Sequence, residues 1–162
     1  MKKLIIFILV ILAYSCTDNT SKTNERQTKA DIVTISKVIH HNINWALQKD
    51  LELLYSTVQK DSTFLVINPD DSKIDGFAEF EQTANSFWMD PKFKATYSEV
   101  KNLRITFSQD GNVAWFFCLL DDFGEWDGHP YKWENARWTG VLEKRDGTWK
   151  IVQMHFSLPS DN

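Results

Sequence analysis

The chain lacks most of the features that announce a chemistry. No Gly-rich loop is placed to cradle a phosphate, no serine sits in a nucleophile elbow, and no Cys/His spacing matches a zinc site. Those absences exclude P-loop nucleotide chemistry, α/β-hydrolase acyl transfer and structural zinc. Calcium finds no binding loop either, because the acidic cluster Asp121, Asp122, Glu125 and Asp127, with His129 beside it, lacks the required spacing. His40 and His41 are adjacent, so on a helix they diverge. Neither a metal nor a cofactor is expected. Cysteine is scarce, at 2 in 162 residues. No internal repeat or low-complexity segment follows residue 30. Positive charge is also in short supply. The formal charge is −4, and loss of Lys2 and Lys3 with a leader would remove two positive charges and leave −6. That balance argues against nucleic acid or an anionic lipid surface as the main partner.

A long hydrophobic run is missing too. The apolar stretch Leu4–Ala13 behind the basic start Met1-Lys2-Lys3 falls short of the roughly 20 residues of a spanning helix. It has signal-peptide form, and Ala13-Tyr14-Ser15 puts small residues before Cys16. The segment resembles a bacterial lipoprotein signal, with its leucine at Leu12 displaced by one position from the customary place. The expected organisation is a signal peptide over 1–15, a tether over 16–29 with lipid on Cys16, and one domain over 30–160. Ordinary cleavage at the same bond would instead give a secreted protein. Lipidation would leave Cys118 as a lone thiol in an exported chain. The tether has no apolar residue from Thr17 to Lys29. The expected address is the cell envelope, through a lipid anchor.

What is abundant is aromatic surface, at 14% of residues with 7 Trp and 11 Phe. In a chain of single-domain size this points to a very aromatic core or a lined cavity. Ile32, Ile35, Ile39, Ile43 and Ala46–Leu47 form one helical stripe. Asp50 reads as the N-cap of a second helix, with Glu52 suiting its dipole. Ser62–Ile67 reads as a strand ended by the turn cluster Asn68-Pro69-Asp70-Asp71. Asp75 reads as the start of a third helix presenting Phe77, Phe80, Ala84, Phe87 and Trp88, stopped by Asp90-Pro91. Leu103, Ile105 and Phe107 alternate as a half-exposed strand before an Asp110-Gly111 turn. Val113–Asp121 is apolar at both parities, so both faces are expected to be covered. Asp122–Asn135 reads as a long acidic and aromatic loop.

Two further runs meet at Arg145-Asp146-Gly147. In the first, Arg137, Thr139, Val141 and Glu143 alternate with Trp138, Gly140, Leu142 and Lys144. In the second, simple alternation groups Trp149, Ile151, Gln153, His155 and Ser157 against Val152, Met154 and Phe156. Arg137, Thr139, Gln153 and His155 are expected to share a polar face.

This closing pattern, R-x-T-x-V-x-x-K-x-D-G-x-W-K-I-x-x-x-H-x-S from Arg137 to Ser157, resembles the end of SnoaL-like proteins of the nuclear transport factor 2-like superfamily. Trp45-Ala46 followed by Asp50, and Asp110-Gly111 followed by Ala114-Trp115-Phe116, extend the likeness over nearly all of residues 30–158. The resemblance implies an α+β fold: a cone-shaped curved antiparallel sheet with N-terminal helices packed on its concave face, dimerising through the sheet. It implies members that are isomerases, dehydratases, ligand-binding modules or assembly domains. Gly140 and Phe156 stand where the kinase-association branch carries arginines, which argues against an anionic ligand.

Enzymes of that superfamily place an acid–base group in the cone with a donor for an oxyanion. His155 and Asp121 are the strand-borne candidates for the acid–base role, and Tyr55 and Tyr97 are possible donors. Ligand contacts are expected from Trp45, Tyr55, Trp88, Trp115, Arg137, Trp138 and His155. The plainer alternatives are a core role for the tryptophans, strand hydrogen bonding for His155 and an ion pair with Glu134 for Arg137. Cys118 reads as an inert buried thiol. The expectation is a membrane-anchored domain that binds a hydrophobic small molecule or a partner. The alternative is a cofactor-independent enzyme with His155 as acid/base.

Overall fold

Residues 27–70 and 72–159 are described by a computed structural model. The expected leader over 1–15, the expected lipid site at Cys16 and nearly all of the expected tether lie outside them. Two units are distinguished, Met1–Thr34 and Ile35–Asn162. The described part of the first is helical, and the sheet belongs to the second.

Helix α1 covers 27–44 and passes into a 3-10 turn at Trp45–Leu47. Its stripe is shorter than the sequence suggests. Ile35 and Ile39 are fully buried, whereas Ile32 is exposed. Helix α2, Leu51–Thr57, begins as its sequence requires: the Leu53 N–H donates to the Asp50 carboxylate at 2.9 Å. Strands β1, Leu65–Ile67, and β2, Lys73–Asp75, form a small hairpin. Asp75 therefore ends a strand, and Gly76, at φ 87°, is the residue that turns the chain into α3, Phe77–Thr83. The last helical turn widens to a π-turn at Ala84–Trp88.

Four long strands follow: β3, Phe93–Phe107; β4, Val113–Trp126; β5, His129–Arg145; and β6, Thr148–Ser157. The six-stranded sheet has the order β2-β1-β6-β5-β4-β3 and does not close on itself. It is not wholly antiparallel, because β1 runs parallel to β6. Helix residues Ile35, Ile39, Leu54 and Phe80 share one hydrophobic core with the inner sheet residues Phe116, Leu120, Trp138 and Ile151.

The expected loop Asp122–Asn135 is instead the far half of a hairpin. Trp126 pairs with His129 across a two-residue turn, with Asp127 at φ 53° and Gly128 at φ 79°. The chemistry that suggests a loop is real, but it alternates: Asp122, Gly124 and Trp126 share the inward parity of Leu120, and Phe123 and Glu125 do not. With no such loop available, the outer face of β4 is left open by the described residues. Trp115 is 47% and Phe117 40% exposed.

Bulges decide which side chains reach the interior. Around Asn135, at φ 53°, β5 carries an extra residue, so Leu120 pairs with Ala136 but Asp122 with Trp133. In β6 the extra residue is Val152, because Val141 pairs with Gln153 and Leu142 with Ile151. Trp149 and Ile151 are thereby core residues, 1% and 0% exposed, on the same side as Met154 and Phe156. Simple alternation groups them with His155; one inserted residue reverses that.

Candidate functional site

Between the helices and the inner face of the sheet lies a cavity of about 800 Å³. Its helical wall is Trp45 and Ala46 after α1, Phe80 and Thr83 of α3, and Phe87 and Trp88 of the π-turn. Trp45 and Trp88 meet edge to face at 5.9 Å, and Phe80 meets Trp88 at 5.3 Å. The sheet wall comes from the β4–β5 hairpin, whose Trp126, Tyr131 and Trp133 point inward beside Met154 and Phe156 of β6. Phe87 stacks on Trp126 at 4.4 Å, and Phe93 lies parallel to Tyr131 at 6.0 Å. The rim is polar where the β1–β2 turn supplies Asp70, Ser72 and Lys73 and α3 supplies Glu79.

Two polar groups stand inside this aromatic wall. Asp122 lies across the strand pair from Trp133, and Tyr131 occupies the next inward position along β5. Among the described residues nothing hydrogen-bonds or ion-pairs with the Asp122 carboxyl. Burial alone pushes its pKa up to about 7. The Tyr131 hydroxyl is buried without a hydrogen-bond partner. Burial, and then the neighbouring Asp122 charge, raise its pKa. Gly124 makes room for that ring: a Cβ there would stand 2.5 Å from the Tyr131 oxygen and strike the Lys94 carbonyl. The Tyr131 hydroxyl is packed over Gly124 and closed to the cavity, so it is the unpartnered Asp122 carboxyl on this wall that a third group can reach.

The sequence model of the SnoaL-like domain family matches residues 35–161. The chain belongs to the SnoaL-like family. Solved structures agree at the level of fold. A type 2 hexachlorocyclohexane dehydrochlorinase (LinA) superposes with a TM-score of 0.71 at 17% identity, over 84% of this chain and 90% of that one. A nuclear transport factor 2-like superfamily protein from Salmonella enterica gives 0.67 at 19% identity, over 85% and 95%. A nuclear transport factor 2-like protein from Cytophaga hutchinsonii gives 0.63 at 16%, over 81% and 98%. No curated protein sequence matches.

In this SnoaL-like domain the sequence-derived candidates separate into three groups. Trp45 and Trp88 line the cavity. Trp138 is fully buried beneath it, stacked on Phe156 at 5.3 Å, and Tyr55 packs edge-on to Phe77 and Phe80 behind the helical wall. Trp115, Arg137 and His155 lie on the opposite face of the sheet. His155 pairs there with Thr139 of β5 and Ile67 of β1, while its neighbours Met154 and Phe156 point into the cavity. The polar face of Arg137, Thr139, Gln153 and His155 therefore exists, but it turns away from the cone. Glu134, the acid considered for Arg137, is paired with Lys132 at 2.7 Å.

Asp121 is also outside the cavity and has a structural task. It binds the Lys101 ammonium at 2.7 Å and accepts the Asn135 N–H at 2.8 Å, while Lys101 also donates to the Asn135 side chain at 2.8 Å. Burial pushes its carboxyl up, but these partners outweigh that and hold its pKa below the ordinary value. It thus ties β3 to β4 and pins the β5 bulge. Tyr97, considered as a donor, is exposed and hydrogen-bonds Glu99 at 2.8 Å. The acid that reaches the cavity is the next residue, Asp122. The strand parity Ala114, Phe116, Cys118, Leu120 points directly to it once the strand is continued past Asp121. Tyr131 and Trp133 are hidden more deeply, because the Asn135 bulge breaks their parity with Trp138.

Proposed function

We propose that the cone binds a small hydrophobic molecule through its aromatic walls, with Asp122 engaging a polar group on it. The observation that carries this reading is an unpartnered carboxyl on the wall of an aromatic cavity of about 800 Å³. Ligand sites have this make-up, mostly apolar with a few placed polar groups. The test is ligand-induced thermal stabilisation by a library of small ring compounds, on wild type and on Thr83→Trp, which fills the cavity from α3. Hits that stabilise wild type and not Thr83→Trp support the reading. Hits insensitive to the substitution refute it.

A second reading, cofactor-independent acid–base catalysis of the isomerase or dehydratase type, has its own support. A carboxyl pushed up to about 7 is suited to taking and returning a proton near neutrality. The fold is shared with a hexachlorocyclohexane dehydrochlorinase. In this chain the acid–base role would fall to Asp122 and not to His155, which faces the other way.

Two properties complete the proposal. The outer face bearing Trp115 and Phe117 pairs with the same face of a second copy, as the exposure of large aromatics in mid-sheet supports. Sedimentation of wild type and Trp115→Asp tests it, a monomer in both being the contrary result. The domain is held at the bacterial cell envelope by lipid on Cys16, a reading supported by the leader Leu4–Ala13 and the small residues before Cys16. Detergent-phase partitioning of wild type and Cys16→Ala tests that, with equal partitioning into water contradicting it.

A further inference from the structure

The chemistry of the cavity selects among hydrophobic molecules by charge. Asp122 is set into the wall among aromatic side chains: Trp133 opposite on β5, Trp126 one inward position beyond Gly124, and Phe156 packed 5.6 Å from Trp133. An aromatic face is electronegative and attracts a cation, most strongly when water is excluded. An ionised carboxyl beside such faces has its counter-charge missing. Nothing among the described residues supplies one. The other titratable groups lining the cavity are Tyr131 on β5, Asp70 and Lys73 from the β1–β2 turn, and Glu79 on α3. Lys73 is the sole cation among these lining residues; it stands exposed on the rim and is held by Asp75 at 2.8 Å. An anionic ligand would meet Asp122 inside and Asp70 and Glu79 at the entrance, against Lys73 as the one basic residue of the lining. A cation is favoured at both places. The chain already shows one half of this mode, with the Lys49 ammonium 5.8 Å from the centre of the cavity-lining Phe93 ring.

We infer that the cavity is built for an organic cation, a protonated or quaternary amine on an apolar body of ring size, with its nitrogen against Asp122 and its body among the tryptophans. This rests on the small-molecule reading above and narrows it to a ligand class. Such a ligand supplies the partner the carboxyl lacks, so it binds the ionised form of Asp122 and displaces the carboxyl proton when it enters.

Three indoles of matched size and different charge separate the outcomes: tryptamine as the cation, tryptophol as the neutral analogue and indole-3-acetate as the anion. Affinities are measured by calorimetry at pH 8 and pH 5 on wild type and Asp122→Asn. The expected result at pH 8 is tryptamine binding at least about tenfold tighter than tryptophol, the size of one charge-assisted hydrogen bond, with indole-3-acetate weakest. That preference disappears in Asp122→Asn, and in wild type it shrinks at pH 5, where the carboxyl is protonated. Tryptophol binding as tightly as tryptamine at pH 8 overturns the cation inference and leaves the small-molecule reading in place. A preference retained in Asp122→Asn overturns it as well, because the selectivity would then come from elsewhere. Binding of none of the three removes both. Trp133→Leu is the second variant: it keeps the carboxyl, and a selective loss of tryptamine affinity relative to tryptophol is its expected signature.

Discussion

Asp122→Asn should make the folded protein more stable at alkaline pH, although the substitution lies in the proposed binding site. Burial moves this carboxyl from the ordinary value of 3.8 to about 7 in the folded state. Because the shift is upward, folding favours the protonated form. Below the unfolded value both states carry the proton and no penalty exists. As pH rises between the two values the unfolded chain ionises first, and the folded state loses stability progressively until the folded carboxyl also ionises. At about 1.4 kcal/mol per tenfold change in acidity, the full penalty above pH 7 is at most about 4 kcal/mol. Asparagine keeps the shape and cannot ionise. The stability difference between variant and wild type should therefore widen in favour of the variant by about 2.5 kcal/mol between pH 5 and pH 8. Urea unfolding at the two pH values measures it. Taking the difference between the proteins cancels the opposite trend from Asp61, Asp70 and Asp110, whose carboxyls are held low by hydrogen bonds in both. A difference that stays constant with pH would mean that Asp122 is solvated or partnered in solution, and the description of the cavity would be wrong.

Other perturbations test the frame around the cavity. Gly140→Ala should destabilise by about 1–3 kcal/mol, since its Cβ would stand 2.5 Å from the Phe116 ring and 2.7 Å from the Gln153 carbonyl; chemical denaturation measures it, and a neutral result would mean that the Phe116 ring yields freely. Asp50→Ala should cost about 1 kcal/mol by removing the hydrogen bond to the Leu53 N–H, again read by denaturation. Cys118 should resist a thiol reagent at pH 8 until the protein unfolds, because it is fully buried and burial pushes its pKa up to about 12. Rapid labelling of the native protein would contradict that.

Much of the architecture is legible along the chain because it is written in local chemistry. Asp50 as a cap, the Asp110-Gly111 and Asp146-Gly147 turns and the Ile35–Ile39 stripe each follow from one residue's preference or from a period of 3.6. The site is less legible because it depends on parity, and parity is reset by single inserted residues. Asn135 and Val152 each add one residue to a strand, and nothing in their own chemistry requires a bulge at that place. The first insertion hides Tyr131 and Trp133; the second makes Trp149 and Ile151 look like companions of His155. Asp122 is lost for a different reason. Acidic residues and glycines after Asp121 resemble a loop, although the chain simply continues as a strand with a carboxyl on the inside. His155 belongs to a pattern that marks the fold, and its place on the outer face follows from Met154 and Phe156 pointing in.

The central claim is that a carboxyl without a partner stands in a cavity that admits ligands. Carbon-13 titration of the Asp122 side-chain carboxyl in the intact protein tests it most directly. The expected midpoint lies near 7 in the free protein and falls toward the ordinary carboxylate range once tryptamine saturates the cavity. A midpoint in the ordinary range without ligand, unmoved by tryptamine, would contradict it.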